Sequence, residues 1–471
     1  MSWDTGSTKQ QQSTQADALK AQVVDAVGPF SPFWRDRLKA LGKTASQVST
    51  LKGLATLPAV GERDVCADGD PAGAAALVLQ AGESGWALHA EGPRLRMALT
   101  NRLLRPGSYR AVVEADTRPT SFVFAGLGLR WPVASTRSDL DVVARAGARL
   151  WQVLGLTRAD VLVSGLALLP TASLQALQLG ALGAGSPALF PGDGADDVAQ
   201  ALQLVPATVL ALASESAATM LDDLDEAGAS LASVKTVLLV GAPSDVERAE
   251  VHDALGRVGV RATVLGVHAP DGHRLLWGEC PKGSGLHTYP DLELLNVVDP
   301  ETGEATTGSG EVVLTQLGLR GSALVRWRTG DLGELATGPC PGCGRTVPRV
   351  MGTQRGALVP SLALRTGTRG VDLRGVAAAL DGRADVADWR VVVGPSPRDG
   401  ADELLVHVAA RVGHDESDVA VAVARDVRNA AGLLPTQVVV VDVSALPTGP
   451  PLSRRVLVRR PFQGADAARA G

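Results

Sequence analysis

From Asp139 to His268 short apolar runs alternate with helical stretches of roughly a dozen residues, and this alternation restricts the fold more than any other feature of the chain. The helix DLDVVARAGARLWQVLG, with Leu140, Val143, Ala144, Ala148 and Trp151 near one face, leads into the strand VLVSGLALLP. Then come the helix SLQALQLGALGA, the strand PALF, the helix DDVAQALQLV and the strand TVLAL. SAATMLDDLDEAG, VKTVLLVG, DVERAEVHDALG and RATVLGV continue the pattern. Strands joined by helical crossovers pair in parallel, which predicts α/β architecture. Parallel strands are covered on both faces and leave no room for charge. That accounts for the 32 residues from Val161 to Gly192 without a charged side chain. Pro170, Pro187, Gln175 and Gln178 interrupt this run, so it reads as strand, crossover helix and strand rather than as a membrane span.

Outside this segment the texture differs. Residues 1–15 are polar, lack the apolar core of a signal peptide, and are expected to form a disordered tail. Residues 16–43 read as helical. After His268, Gly-punctuated runs such as DLELLNVVD and GEVVLTQL predict antiparallel β structure. Residues 352–471 form a separate small α+β module: helices VDLRGVAAALDG and DVAVAVARDVRNAAG, strands WRVVVGP, ELLVHVAARV and QVVVVDVSAL, and the basic tail SRRVLVRRP. The expected organisation is a large α/β body over 16–351, ending in a β-rich segment, and a small C-terminal domain. A balance of 45 Lys+Arg against 50 Asp+Glu argues against a general nucleic-acid binder. With 4 cysteines, the chain is no secreted disulfide framework, and a cytoplasmic location is expected.

The sharpest local signal is CPGCG, where Cys340 and Cys343 stand two residues apart in a Gly/Pro-rich turn. Such a knuckle points both sulfurs at one ion, and a tetrahedral zinc needs two further ligands. Cys280 and His287 of ECPKGSGLHTYPD are the natural pair. Four protein ligands leave no open position, so the zinc is expected to be structural. The alternatives are a reduced surface pair and a redox pair, although a redox pair ordinarily opens a helix after a strand. Cys66 reads as a buried thiol, and His268 and His273 as loop or core histidines.

With these elements placed, the order of motifs resembles the phenylacetate–CoA ligase family of the adenylate-forming superfamily, from about residue 28 onward. SPFWRDRL and LATLPAVGERDV are similar to its opening segments, and SDLDVVARAGARLWQVLGL to the stretch after its phosphate loop. LLVGAPSD, with Gly241 and Ala242, resembles its adenine-side strand and turn. ECPKGSGLHTYPDLELLNVVDPETGE, the RTGD of ALVRWRTGDLGEL and the knuckle CPGCGRTVPRV follow in the family's order. The resemblance implies a large adenylate-forming body with a mobile C-terminal lid. It also implies a two-step reaction: a carboxylate is joined to AMP from ATP with magnesium, then passed to coenzyme A. Cys and His at the knuckle positions hold zinc in that family.

Several implied chemical groups are altered. The phosphate loop, rich in hydroxyls and ending in lysine in the family, is FVFAGLGLRWPVAST here. Gly126 and Gly128 remain, Ala125, Leu127 and Leu129 replace hydroxyls, and Arg130 is its cation. Leucines cannot donate hydrogen bonds to a phosphate and raise the cost of bringing one near. A second Gly-bearing stretch, Gln80 to Ala90, lies in an apparent insertion around residues 70–110, and its Glu83 would repel phosphate. Leu265 stands at the family's aromatic position, and His268 and Ala269 at its Thr–Glu pair, which removes the magnesium carboxylate. Asp331 of RTGD is kept where the family grips the ribose hydroxyls; it also reads simply as a turn Asp after a strand. At the hinge Thr353 replaces Arg, with Arg355 two places on; at the catalytic lysine stands Leu452, beside Arg454 and Arg455. No lysine follows Lys282, so no local realignment restores that group.

Three readings follow. The first is a degenerate family member with little or no ligase chemistry that binds a nucleotide, an acyl ligand or a partner protein. The second is a divergent active acyl- or aryl-CoA ligase using ATP, magnesium and CoA, with Arg130, Arg355 and Arg454 as substitutes. The third is a scaffold subunit with no small-molecule site. Loss of this many charge-stabilising groups favours the first.

Overall fold

The computed structural model describes residues 3–66, 71–81, 114–125, 131–283, 285–300, 302–354, 362–363, 370–371, 373–395, 402–431, 434–446 and 456–458. The chain divides into two compact units. The first comprises residues 1–61, 74–124 and 132–357; the second comprises 62–73, 125–131 and 358–471.

In the first unit, α1 (Thr8–Gln22) and α2 (Pro32–Ala40) precede β1 (Pro119–Ala125) and β2 (Trp131–Thr136), which pair with each other in a separate two-stranded sheet. Then α3 (Arg137–Leu154), α4 (Ala172–Ala184), α5 (Ala195–Leu204), α6 (Ala217–Glu226) and α7 (Asp245–Arg257) alternate with strands of an eleven-stranded sheet. Those strands are β3 (Leu162–Ser164), β4 (Ala188–Leu189), β5 (Val209–Ala213), β6 (Thr236–Val240) and β7 (Thr263–His268). β8 (Trp277–Gly278), β9 (Leu286–His287), β10 (Glu293–Val298), β11 (Gly310–Gln316), β12 (Trp327–Ala336) and β13 (Arg349–Gln354) complete it. The order is β10-β11-β12-β13-β9-β8-β7-β6-β5-β3-β4. Pairing is parallel from β4 to β7 and antiparallel from β7 to β10, as the change of texture at His268 predicts.

Successive residues of one strand serve opposite layers. Ala211 of β5 and Leu238 of β6 pack with Leu150 and Leu177 of α3 and α4. Leu210 and Leu239 pack instead with Val198, Leu221 and Val251 of α5 to α7. Helices on both faces explain why these strands carry no charge. The two helices of the first layer nearly touch: a Cβ on Gly147 would lie 2.1 Å from the Gly180 Cα, and one on Gly183 would lie 2.1 Å from the Ala144 carbonyl oxygen.

Sequence expectation and structure differ at four places. The buried face of α3 is centred on Val143, Ala146, Gly147, Leu150 and Leu154, with Leu140, Ala144 and Ala148 only half-buried. Gly147 meets Gly180 of α4 on this buried face. The strand expected over VLVSGLALLP ends at Ser164, whose hydroxyl accepts from the Leu166 N–H and turns the chain out of the ladder. Residues 3–15, expected as a disordered tail, are ordered. Trp3 packs on Tyr289 at 5.6 Å under the Arg149 guanidinium, Asp4 accepts from Arg345 Nε at 3.1 Å, and Ser7 caps α1 through a capping box. The helical stretch of residues 16–43 is helical through Phe30, widening to a π turn at Val23–Val27, and is interrupted at Ser31, whose backbone is extended before Pro32.

In the second unit a four-stranded sheet has the order β18-β17-β16-β19, built from β16 (Val386–Pro395), β17 (Asp402–Ala410), β18 (Gln437–Val440) and β19 (Val456–Val458). It is accompanied by α8 (Leu373–Asp381) and α9 (Glu416–Ala431), with a further short pair β14 (Leu362–Ala363) and β15 (Gly370–Val371). Among the described residues no helix is long and apolar enough to cross a membrane.

The first unit holds a buried ion pair. Arg274 donates from Nη1 to Asp139 Oδ2 at 2.9 Å and to the Ala134 carbonyl at 2.7 Å, and from Nη2 to Gln316 Oε1 and the Ser322 carbonyl, each at 2.7 Å. Burial draws the guanidinium below its ordinary pKa, and Asp139 opposes that shift. Asp139→Ala should lower the unfolding free energy by about 3–5 kcal/mol, read from urea titration, because it strands a buried charge. Asp141→Ala, which breaks the exposed Arg137–Asp141 pair, should cost less than about 1 kcal/mol.

Candidate metal centre and adjoining cleft

Cys280, His287, Cys340 and Cys343 come together, their ligand atoms all within 4.8 Å of one another. Cys280 Sγ lies 3.8 Å from Cys340 Sγ, and Cys343 Sγ lies 3.2 Å from His287 Nε2. His287 Nδ1 sits 3.3 Å from the Gly278 carbonyl, which fixes the tautomer and leaves Nε2 as the ligand atom. β9 pairs with β13 at His287↔Arg349, so the sheet itself delivers this ring.

The two loops carrying the cysteines fold against each other through glycine. A Cβ on Gly283 would fall 2.5 Å from both the Cys280 and Cys340 sulfurs, and one on Gly342 would fall 2.3 Å from the Gly283 nitrogen. The knuckle closes by Gly344 N–H donating to the Cys340 carbonyl at 2.8 Å, with Gly344 at a φ of 73°. Burial works against the Cys340 thiolate, but the Cys343 and Gly342 amides outweigh it and draw its pKa below the ordinary value. Burial pushes the Cys280 thiol up to about 11. Burial, with Arg349 and Arg345 nearby, lowers His287 to about 4, so its imidazole is neutral across the physiological range. Three thiols and one neutral imidazole, mutually in reach and largely buried, fit a tetrahedral divalent ion, and the group could hold one.

A cleft of about 550 Å³ lies on the Gly241–Ala242 side of the sheet. Its turn is held by Gly241 N–H and Ala242 N–H, which donate to the Val267 carbonyl at 2.8 and 3.4 Å. Ala242 takes a φ of 55°, a left-handed conformation that costs a non-glycine residue about 1–2 kcal/mol. Opposite it, Glu279 accepts from the Gly266 N–H at 2.6 Å and from Arg248 Nη2 at 2.7 Å. A Cβ at Gly266 would lie 2.8 Å from Arg248 Nη2, so a larger residue there would push on the Arg248–Glu279 pair. Thr353 also lines the cleft, with a buried hydroxyl that has no hydrogen-bond partner. The lining sets Asp245, Glu247 and Glu279 against Arg248, and that cation is already engaged by Glu279.

Asp331 does not stand open beside this cleft. His268 Nε2 lies 2.7 Å from Asp331 Oδ2, and both side chains are buried. β8, β9 and β13 separate β7 from β12 in the sheet. In a flat sheet that spacing would be about 19 Å, so the contact shows that the sheet curls back on itself here. His273 is likewise a core residue, its Nε2 at 2.7 Å from Glu293 Oε2. Leu265 is buried and Ala269 half-buried. Gly126, Gly128, Arg130, Glu83, Arg355, Leu452, Arg454 and Arg455 lie outside the described residues. The Arg248–Glu279 and His268–Asp331 pairs are not legible in local spacing, since each joins residues of different strands or helices.

The sequence matches no family model and no curated protein. By structure the chain is similar to 2-hydroxyisobutyryl-CoA ligase, solved in the postadenylation state with 2-HIB-AMP: 17% identity, TM-score 0.59, covering 99% of this chain and 92% of that one. The same ligase with 2-HIB-AMP and CoA in the thioesterification state gives 17% identity and a TM-score of 0.56, covering 99% and 94%. The chain therefore has the fold of the adenylate-forming acyl-CoA ligases.

The depressed His287 pKa has a consequence for the metal-free protein. The unfolded chain takes up the proton at about 6.5 and the folded one only at about 4. The contribution is therefore complete above about pH 6.5 and is lost as pH falls toward 4, a change of roughly 3 kcal/mol. Chelator-treated protein should lose stability across that window in urea titrations, and His287→Gln should remove that part of the pH dependence.

Proposed function

We propose that this is a phenylacetate–CoA ligase-like protein that keeps the adenylate-forming fold and a structural zinc but has little or no ligase activity. Its cleft would bind a nucleotide, an acyl ligand or a segment of a partner protein, in a cytoplasmic protein with a body over 16–351 and a lid over 352–471. The observation that carries this reading is the end of β7. There Ala269 offers no carboxylate for magnesium, and the neighbouring His268 is bonded to Asp331, the residue implied in ribose binding. The acidic lining of the cleft adds to it, since a triphosphate needs cations around its developing charge. Gly241 and Ala242 would contact the base, with Gly126 and Gly128 turning the phosphate loop. Cys280, His287, Cys340 and Cys343 would hold the zinc, which would cross-link the two loops without entering any reaction.

The decisive assay is carboxylate-dependent ATP–pyrophosphate exchange across a panel of aryl and acyl acids. Exchange should stay at background; robust exchange abolished by Asp331→Ala would overturn the reading and establish a divergent ligase using Arg130, Arg355 and Arg454 with ATP, magnesium and CoA. Thermal shift with AMP should raise the melting temperature, and no shift with AMP or ATP would point to a scaffold. Elemental analysis should find one zinc per chain, falling well below stoichiometric in Cys340→Ser.

A further inference from the structure

We propose that Arg326 anchors an oxyanion-binding site, its two terminal nitrogens free to grip one carboxylate or phosphate group. The residue is only 5% exposed, yet among the described residues its guanidinium makes a single hydrogen bond, from Nε to the Leu57 carbonyl at 3.1 Å. No described carboxylate pairs with it; burial draws its pKa below the ordinary value, and no anion opposes that shift. Nη1 and Nη2 are unpartnered but not sealed in, so each borders space that a water-sized group can enter. Buried charges are otherwise paired. Arg274, also buried, meets Asp139, Gln316 and two carbonyls, and Arg328 donates to Glu311. One bond to the Leu57 carbonyl needs only a neutral donor, so it does not account for a charge held here.

The backbone is strained at the same residue. Arg326 has a φ of 49°, in the left-handed region that costs a non-glycine residue free energy. Its neighbours enforce the conformation. The Arg326 N–H donates to Thr315 Oγ1 at 2.9 Å, its carbonyl accepts from the Val60 N–H at 2.8 Å, and the Trp327 indole donates to the Asp271 carbonyl at 3.1 Å. Strain of this kind persists only where the surroundings over-determine it, and it collects at ligand sites. With Nε committed to Leu57, the free edge of the guanidinium is its Nη1–Nη2 end. That edge offers two parallel N–H bonds to the two oxygens of one carboxylate or phosphate. Such an anion would supply the countercharge that no described residue provides. Arg326 does not line the Gly241–Ala242 cleft, so the proposal stands or falls independently of what that cleft binds.

The test is differential scanning fluorimetry of the full chain titrated with sodium phosphate or with sodium acetate, sodium chloride holding the ionic strength constant. The wild-type melting temperature should rise and level off, gaining about 2 °C when the anion reaches roughly ten times its dissociation constant. A rise with phosphate alone assigns a phosphate ligand, a rise with acetate alone a carboxylate, and a rise with both a general oxyanion site. Arg326→Gln, which keeps a donor for Leu57, should abolish the rise. Arg326→Lys keeps the charge without the fork and should need about tenfold more anion for half the effect, the loss expected for one charge-assisted hydrogen bond. No levelling rise with either anion in the wild type overturns the proposal without any variant, since water alone then fills the space. An equal rise in Arg326→Gln overturns it as well, because the anion then binds elsewhere. Should Arg326→Gln fail to fold, an unchanged half-saturation in Arg326→Lys overturns it in the same way.

Discussion

The Asp139 carboxylate organises the interior of the first unit. Its Oδ2 accepts from Arg274, from the Thr136 N–H that starts α3 and from the Gly321 N–H, while Oδ1 accepts from the Arg320 N–H. One buried anion thus ties the start of the first helix of the α/β layers to the turn after β11 and to the segment between β7 and β8. Arg274 passes the connection on through Gln316 to His273 Nδ1 at 3.1 Å, and His273 approaches Glu293, which accepts from Trp277 Nε1 and the Tyr289 N–H. Buried ion pairs are weak sources of net stability, because desolvation offsets attraction. Their value here is geometric: with so many donors converging on one carboxylate, displaced packings of the two kinds of sheet would strand a charge.

This frame explains which parts of the fold were legible in the sequence. The parallel strands announce themselves because every residue of Val209–Leu212 or Val237–Val240 is buried, a condition that forbids charge and leaves a continuous apolar run. The start of α3 is legible as well, since Thr136 and Asp139 satisfy each other three residues apart. Asp139 as the partner of Arg274 is not, because the two are 135 residues apart and nothing local distinguishes this arginine from the rest. The order of residues 3–15 was missed for the same reason: Trp3 and Asp4 are held by Tyr289, Arg149 and Arg345, all distant in sequence.

The gathering of Cys280, His287, Cys340 and Cys343 was legible because its signal is partly local. Two cysteines in a Gly/Pro turn define half the site, and only the choice of Cys280 and His287 required reasoning across the chain. The Gly241–Ala242 turn was visible as a glycine-bearing turn, but the charges beside it were not, since Glu279 and Arg248 arrive from different elements. The His268–Asp331 bond was the least accessible, because it depends on a curl of the sheet that strand patterns do not encode. The same curl brings a side chain of β7 into contact with a residue of β12.

The Cys/His cluster also has a consequence for strand alignment. His287 reaches the cysteines only in the register in which it faces Arg349. Side chains alternate across a strand, so a slip of one residue between β9 and β13 would turn the imidazole to the opposite face. β10, β11 and β12 all lie between His287 and Cys340 in the chain. An ion held by all four residues would therefore act as a proofreading device for the β-rich segment, binding only chains in which the intervening strands have already found their native alignment.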